Sequence, residues 1–188
     1  MAILVHACCG PCLGGALPTL RATHTQEEFV PFWENPNIHG YQEYFQRFES
    51  FQRLTTALGL TPLIGDATYG LRRFLAVVGP NPDRASRCAA CFRLRLTATA
   101  ARARQEHFAA FSTTLLISPY QDHSLLVQIG QEVSAAAGVP FLAQDLRPAF
   151  RETYAVARRE GLYKQKYCGC LFSEEERFTA RPPRPSPA

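Results

Sequence analysis

The sequence predicts a single α/β domain built on a mainly parallel sheet. Short apolar segments alternate with helix-forming segments along most of the chain, and glycine or proline marks many of the boundaries. A length of 188 residues and a hydrophobic content of 46% suit one packed core. We therefore expect one catalytic domain over residues 1–178, followed over residues 179–188 by a proline-rich tail that we expect to be disordered.

The amino-terminal elements follow from apolar spacing and turn-forming residues. Residues 2–7 (AILVHA) predict a short buried strand that a Gly-Pro pair ends, and a helix is expected to begin within residues 13–20. The stretch NPNIHG, residues 35–40, predicts a loop. Residues 42–58 carry apolar side chains three and four positions apart, which is typical of an amphipathic helix, and residues 61–66 predict a strand.

The carboxyl-terminal elements continue the alternation. Residues 92–107 are rich in helix-forming residues and extend a helix that starts near a cysteine pair. Residues 111–119 (FSTTLLISP) are β-branched and apolar, so they predict the clearest strand. Residues 124–138 predict a helix with glycine at its end, residues 139–145 (VPFLAQD) predict a strand, and residues 149–161 predict a last helix.

Composition limits the partners and the compartment. The formal net charge of +4, from 20 Lys and Arg against 16 Asp and Glu, permits an anionic partner without requiring one. No segment reaches the roughly 18 apolar residues of a membrane span, and the apolar start is too short for a signal peptide. We therefore expect a cytoplasmic protein with no membrane partner. Cytosolic thiols are kept reduced, so the seven cysteines do not predict a disulfide framework.

The cysteines fall in three tight groups, and none is isolated. These groups are Cys8, Cys9 and Cys12; Cys88 and Cys91; and Cys168 and Cys170. A lone cysteine is usually a small buried apolar residue, but this clustering favours metal or redox chemistry. The first group follows the end of the first predicted strand, which is the edge where ligands of parallel α/β sheets bind.

Three kinds of site compete for these thiols. The CGPC of residues 9–12 matches the active-site dithiol of a thioredoxin. Together with the CAAC of residues 88–91, it also offers four thiolates for a closed zinc site. An iron–sulfur cluster is the third option, if the Gly-Pro bend turns Cys8 and Cys9 to the same side. A thiol-disulfide oxidoreductase, a zinc-stabilised RNA-binding domain and an iron–sulfur enzyme therefore stay open.

The YCGC stretch near the carboxyl end has a different character. Residues two apart span at most about 7 Å, and a disulfide needs Cα atoms about 4.4–6.8 Å apart, which Gly169 lets the backbone reach. Such a ring would be small and easily reduced. A redox-active pair at Cys168 and Cys170 is therefore a better interpretation than a structural bridge, and metal ligation by one of the two stays open.

Several motifs follow one another along the chain: HACCGPC, NPNIHGYQEY, RCAACFRLRL, FSTTLLISPYQ, QDLRPAF and LYKQKYCGC. Together they resemble the QueH family of epoxyqueuosine reductases, and the resemblance extends from about residue 6 to residue 178. The sequence departs from the family pattern at Gly10, where the family usually has Ala, and at Phe92, where it usually has Tyr. We expect the change at Gly10 to leave the thiol geometry intact.

The resemblance implies a fold, a reaction and a cofactor. The family fold is similar to the adenine-nucleotide α-hydrolase-like (HUP) class. Its members reduce epoxyqueuosine to queuosine in the anticodon loop of tRNA, with electrons from a donor that the sequence does not identify. They carry a [4Fe-4S] cluster, with an additional iron or zinc ion nearby. Reduction of an epoxide to an alkene takes two electrons and two protons, so a redox cofactor agrees with the chemistry.

The same resemblance assigns roles to the cysteines of this chain. It implies that the cluster ligands are Cys8, Cys9, Cys88 and Cys91. It also implies that Cys12 lies beside the cluster or on the extra metal, and that Cys168 and Cys170 form the redox-active disulfide pair. Asp145 follows a predicted strand end and joins the pair as a catalytic candidate. His6 and Tyr167 are further proton-donor candidates, although a core histidine bonded to the backbone is the preferred interpretation of His6.

Basic and aromatic residues near the motifs predict contacts with tRNA. We expect Arg93 to contact a phosphate, and Tyr120 and Tyr167 to stack on a base of the anticodon loop. The wider set of candidates is Arg95, Arg102, Arg104, Arg158, Arg159, Tyr163, Lys164 and Lys166.

Overall fold

Four short parallel strands form the centre of the fold. The computed structural model describes residues 1–80 and 82–179. Its elements, in chain order, are β1 (Ala2–His6), α1 (Gly10–Thr23), β2 (Glu28–Trp33), α2 (Tyr41–Ala57), β3 (Leu63–Ile64), α3 (Leu71–Val78), α4 (Arg84–Gln105), β4 (Ala110–Thr113), a 3-10 helix (Thr114–Ile117), α5 (His123–Ala137), a second 3-10 helix (Arg147–Ala149), α6 (Glu152–Arg159) and α7 (Leu171–Thr179). The sheet order is β3-β2-β1-β4 with every pair parallel, which confirms the predicted fold class and agrees with a HUP-like fold.

The strand order places a crevice beside β1. The chain runs from β1 to β2 and β3 on one side of the sheet, and then to β4 on the other. Crossover connections between parallel strands are right-handed, so α1 and α4 lie on opposite faces. The helices cover both faces, and β1 is accordingly buried, with 0% exposure of Leu4 and Val5. Ligands of such sheets bind where the order reverses, at the carboxyl ends of β1 and β4.

Three predicted strands are shorter than expected or absent. Of residues 61–66, only Leu63–Ile64 is strand. Of residues 111–119, the part after Thr113 is not strand, because the Thr113 hydroxyl accepts the N–H of Leu115 at 3.1 Å and starts the first 3-10 helix. Residues 139–145 do not form a strand either, and Phe141 makes an isolated bridge to β4. The prediction of strands was wrong there because apolar composition alone does not distinguish a strand from other buried backbone.

Three elements were not predicted from the sequence: β2, α3 and α7. β2 contains Pro31, and proline is unusual inside a sheet, but β3 pairs with Phe32 and Trp33 alone, so Pro31 needs no hydrogen bond on that side. The tail was predicted over residues 179–188; Thr179 ends α7, and residues 180–188 lie outside the described residues. None of the helices that the structure describes is long and apolar enough to cross a membrane.

Helix α1 lies against the backbone of α2 at Gly10. A Cβ atom added there would lie 2.4 Å from the carbonyl oxygen of Ser50, which is a backbone atom of α2. The departure from the family pattern at this position is therefore structural, since the approach of the two helices depends on the missing side chain.

We expect Gly10→Ala to lower the free energy of unfolding by about 1–3 kcal/mol, because backbone must move to admit the methyl group. Gly14→Ala in the same helix is the control, since its Cβ would meet side-chain atoms of Val156 and Leu54 instead of backbone. Denaturant unfolding of the metal-free, reduced protein measures both losses. A loss at Gly10 no larger than the loss at Gly14 would contradict this interpretation.

Candidate metal and redox centre

The first cysteine group lies where β1 ends and α1 begins. Cys9 has extended backbone (φ −173°) and caps α1, since its Sγ accepts a hydrogen bond from the N–H of Cys12 at 3.3 Å. Pro11 occupies the first turn of the helix, where its missing N–H costs no hydrogen bond. The chain passes from strand to helix at Gly10, so the thiols of Cys8 and Cys9 face a common space, as expected.

The thiols of this group form a buried trio. The Sγ atoms of Cys8, Cys9 and Cys12 all lie within 4.8 Å of one another, with side-chain exposures of 8%, 0% and 6%. Hydrogen bonds from the other two thiols hold the pKa of Cys8 well below its ordinary value, assisted by Arg95 and the Thr114 hydroxyl. The pKa of Cys12 is raised because its thiol donates to Cys8, and burial raises the pKa of Cys9. Within the trio, negative charge is therefore favoured on Cys8 over the other two thiols.

The trio fits a single metal ion. A tetrahedral ion with metal–sulfur bonds of about 2.3 Å places its sulfur ligands about 3.8 Å apart, which lies within the spread of these thiols. Among residues 1–80 and 82–179, no other group of three or more His, Cys, Asp or Glu side chains is gathered this closely. Cys88 and Cys91, the other two predicted cluster ligands, are not members of the trio. Its third member is Cys12, which was predicted to lie beside the cluster or on the extra metal.

The other four thiols share a second region. Cys91 and Cys170 pack with Phe74 in a small apolar cluster, where they are 8% and 6% exposed. Burial raises the pKa of Cys88, and it raises the pKa of Cys91 to about 12. Negative charge on Cys168 or Cys170 would raise both values further, because these two thiols lie close by. The second and third cysteine groups are therefore neighbours in space.

Arg95 lies between the two regions. We predicted it as a phosphate contact, but it is 1% exposed, so that prediction is wrong. Its Nη2 donates to Oδ1 of Asn35 at 2.9 Å, and its charge favours the thiolate forms of both Cys8 and Cys91. Arg87, Cys91 and Arg95 are all buried at intervals of four on α4. This spacing was the available sequence signal for an inward-facing stripe.

His6 ends β1 and is 0% exposed. Its Nδ1 lies 2.9 Å from the hydroxyl of Thr113, and its Nε2 lies 3.1 Å from the carbonyl oxygen of Glu34. Burial, with the charge of Arg95, lowers its pKa to about 3, so the ring is neutral at physiological pH. This enclosed, neutral imidazole agrees with the preferred interpretation as a core histidine.

The Cys-Gly-Cys stretch forms a turn against the loop that precedes α2. Gly169 has φ +141°, a backbone conformation that other residues rarely adopt, and its carbonyl accepts the N–H of His39 at 2.8 Å. Cys168 is exposed, and its Sγ lies 3.3 Å from Nε2 of Gln121. Cys170 is buried. No bond joins the two thiols in this structure.

Sequence reasoning missed the side chain that holds this turn. Arg47 of α2 is 1% exposed and donates to the carbonyl oxygens of Cys168 at 2.8 Å and Tyr167 at 3.1 Å. Glu43, one helical turn earlier, pairs with the guanidinium at 2.6 Å. The Glu-x-x-x-Arg spacing was visible in the sequence, but it is so common on exposed helix faces that it carried no functional signal.

Asp145 lies on the surface, with 44% of its side chain exposed. Hydrogen bonds from Arg147, at 2.9 Å and 2.6 Å, lower its pKa to about 2. Nε2 of His123 is 3.8 Å from the carboxylate. The carboxylate is therefore ionised at neutral pH, so it holds no proton to donate.

The three predicted substrate-binding residues lie on three different segments. Arg93 is exposed on α4, where it pairs with Glu132 of α5. Tyr120 is 71% exposed in the loop before α5. Tyr167 is half-buried, and its hydroxyl donates to the carbonyl oxygen of His39 at 2.6 Å. Tyr120 is thus the most accessible of the predicted stacking residues.

Ion pairs neutralise part of the wider basic set. Arg102 pairs with Glu106, and Arg159 pairs with Glu152 and Glu160. The exposed members of the set that remain are Arg104, Arg158, Lys164 and Lys166. Lys164 and Lys166 lie between α6 and the Cys-Gly-Cys turn, so they leave positive charge close in the chain to the exposed thiol.

The fold and the site together define an α/β protein with a thiol-rich centre suited to metal binding and redox chemistry. A sequence profile of the family described as Epoxyqueuosine reductase QueH matches residues 3–176. This chain therefore belongs to the QueH family of epoxyqueuosine reductases and is an oxidoreductase. The resemblance seen in the motifs is confirmed.

Individual relatives agree with the family match. The epoxyqueuosine reductase QueH of Dehalococcoides mccartyi is 34% identical over 179 residues, which cover 94% of each chain. The protein of that name from Thermotoga maritima is 34% identical over 181 residues, covering 93% of this chain and 91% of the relative. The Helicobacter pylori protein is 35% identical over 91% of this chain, but this chain spans about half of that relative, 49%.

Proposed function

We propose that the protein reduces epoxyqueuosine to queuosine in the anticodon loop of tRNA, in the cytoplasm. The observation that carries this proposal is the family match over residues 3–176. Relatives of the same name align over nearly their own full length, which supports it. The buried thiols at the carboxyl end of β1 support it further, because ligands of parallel α/β sheets bind at this edge.

We assign a [4Fe-4S] cluster and an adjacent iron or zinc ion to the first two cysteine groups: Cys8, Cys9, Cys88 and Cys91 for the cluster, and Cys12 for the ion. Arg95 favours the thiolates of Cys8 and Cys91, one from each ligand pair, and this supports ligation by both pairs. Cys12 lies within 4.8 Å of Cys8 and Cys9, which supports a role for it beside the cluster or on the adjacent ion. When bound, the cluster would supply one-electron transfer, and an iron with an open position would polarise the epoxide oxygen.

The pair of Cys168 and Cys170 can supply the electrons and protons that the reaction consumes. Conversion of an epoxide to an alkene removes one oxygen as water and takes up two electrons and two protons. Oxidation of two thiols to a disulfide releases two electrons and two protons. A separate electron donor would then reduce the disulfide before the next turnover. The exposure of Cys168 supports this role, because an electron donor or the substrate can reach its thiol.

Asp145 is the third residue that we assign to catalysis. Because Arg147 keeps its carboxylate ionised, we assign it the role of holding a cationic or hydrogen-bond-donating group of the substrate. The two protons that leave with the epoxide oxygen then come from the thiols. For substrate binding we propose Arg93 at a phosphate, with Tyr120 and Tyr167 at a base, and the exposure of Tyr120 supports stacking.

Two other functions predict different properties. A thioredoxin-like oxidoreductase needs an attacking thiol that a partner protein can reach, but Cys9 is 0% exposed and Cys12 is 6% exposed. A zinc-stabilised RNA-binding domain would use the trio for a structural ion, which its sulfur distances permit. Metal analysis therefore separates this alternative from the reductase.

Anaerobic purification followed by metal, sulfide and nucleoside analysis tests the proposal. We expect a brown protein that contains iron and acid-labile sulfide. With a reductant, it should convert epoxyqueuosine to queuosine in tRNA, as measured by mass spectrometry of the nucleosides. A colourless protein with zinc and no sulfide would overturn the cofactor assignment. Persistence of epoxyqueuosine in the presence of cluster-loaded protein and reductant would overturn the reaction.

A further inference from the structure

A buried guanidinium lies against the backbone of the Cys-Gly-Cys turn. Arg47 donates one hydrogen bond to each of two consecutive carbonyl groups, at Tyr167 and Cys168. Its Nε donates to Glu43 at 2.7 Å, and the hydroxyl of Tyr163 donates to the other oxygen of that carboxylate. A planar guanidinium with 1% exposure and partners on both sides has a fixed direction. The turn is therefore held by a side chain 121 positions earlier in the chain.

The two thiols of the turn have different environments. Cys168 faces solvent beside Gln121, whereas Cys170 is buried in the apolar cluster of the second region. A disulfide between residues two apart requires the backbone around Gly169 to close. The peptide group between Cys168 and Gly169 lies within the ring that this disulfide would close, and Arg47 binds its carbonyl oxygen at 2.8 Å, so the hydrogen bond opposes any change in the orientation of this peptide group.

We propose that Arg47 is a positioning residue that holds the pair of Cys168 and Cys170 in its open, dithiol form. The hydrogen bonds stabilise the open turn, and the positive charge favours a thiolate over the neutral sulfur of a disulfide. Both effects act in the same direction. The inference rests on the proposed two-electron role of the pair, and it explains how the pair stays reduced until substrate reaches the exposed thiol.

The equilibrium of the pair with glutathione measures this effect. Oxidised glutathione accepts two electrons from the pair, so one protein disulfide and two molecules of reduced glutathione form. Trypsin cleaves after Lys166 and Arg177, which releases residues 167–177 as a peptide with these two cysteines and no other. Acid quenching, alkylation of the free thiols and mass spectrometry of this peptide then give the oxidised fraction in the anaerobically purified protein.

We expect Arg47→Gln to shift this equilibrium toward the disulfide roughly tenfold, the effect of losing about one charge-assisted hydrogen bond. Arg47→Lys keeps the charge but loses the planar guanidinium that binds two carbonyl groups at once, so we expect a smaller shift in the same direction. Arg53→Gln is the matched control. Arg53 lies on the same helix and donates at 3.2 Å to each of two consecutive carbonyls, at Glu160 and Gly161, so its loss should leave the equilibrium unchanged.

The outcomes separate this inference from the proposed function. Circular dichroism first shows whether each variant is folded. If folded Arg47→Gln and Arg47→Lys both have the same thiol-disulfide equilibrium as Arg53→Gln, the role of Arg47 is overturned and the dithiol role still stands. Arg47→Lys alone decides the question if Arg47→Gln does not fold. If the native protein forms no Cys168–Cys170 disulfide at any glutathione ratio, the two-electron role itself fails.

Discussion

Replacing Cys9 with serine is expected to remove the bound metal and to lower epoxyqueuosine reductase activity at least about 100-fold while the fold stays intact. Cys9 is the N-cap of α1, and serine is an efficient N-cap whose hydroxyl can accept the same hydrogen bond from Cys12. Cys9→Ser therefore removes a thiolate ligand and keeps the start of the helix. Iron and sulfide content measures the first effect, and mass spectrometry of tRNA nucleosides measures the second.

Cys9→Ala separates the two roles of this residue. Alanine removes the ligand and the cap, so we expect the same loss of metal together with a further loss of about 1 kcal/mol in the free energy of unfolding of the metal-free protein. Denaturant unfolding of the two variants, both without metal, isolates the contribution of the cap. Metal content in Cys9→Ser equal to that of the unmodified protein would refute Cys9 as a ligand, even if the reaction is correct.

Cys168→Ser is expected to lower multiple-turnover activity at least about 100-fold, because the pair can no longer form an intramolecular disulfide. Cys168 is exposed, and a serine hydroxyl can take the place of its thiol beside Gln121. We therefore expect the free energy of unfolding to change by less than about 0.5 kcal/mol. Iron content should also be unchanged. Steady-state reduction of epoxyqueuosine in tRNA, with metal analysis of the same preparation, tests both expectations.

Cys170→Ser provides the comparison within the pair. It should lose activity to the same extent, but it should also lose stability, because Cys170 is 6% exposed and packs with Phe74. Activity within about threefold of the unmodified protein in either variant would exclude a two-electron role for the pair. Loss of iron in Cys168→Ser would show instead that this thiol is a metal ligand, which the sequence left open.

Much of the fold was predictable because its signals are local. The apolar run of β1, the periodicity of α2 and the glycine that ends α5 each lie within a few consecutive residues. The strand β2 was not predicted from the sequence, and its proline argues against a strand unless the neighbouring strand is known to be short. The strand predicted over residues 139–145 failed for a related reason, since apolar composition does not show whether a partner strand is present.

The candidate site was predictable in composition but not in arrangement. Clustering of the cysteines predicted that they act together, and the structure places the second and third groups close to each other. The sequence did not show that Cys12 would join Cys8 and Cys9 within 4.8 Å. That arrangement depends on the N-cap at Cys9, which turns the first residues of α1 back toward the end of β1.

By itself, the sequence determined the α/β class, the three groups of thiols and the family, because each of these depends on patterns within short stretches of consecutive residues. The tertiary structure alone decided which polar groups serve the centre. It turned Arg95 inward between the two thiol regions, and it set Arg47 against a turn 121 positions away in the chain. The direction of a side chain and its distant partners depend on how helices pack across the sheet, and no local pattern contains that information.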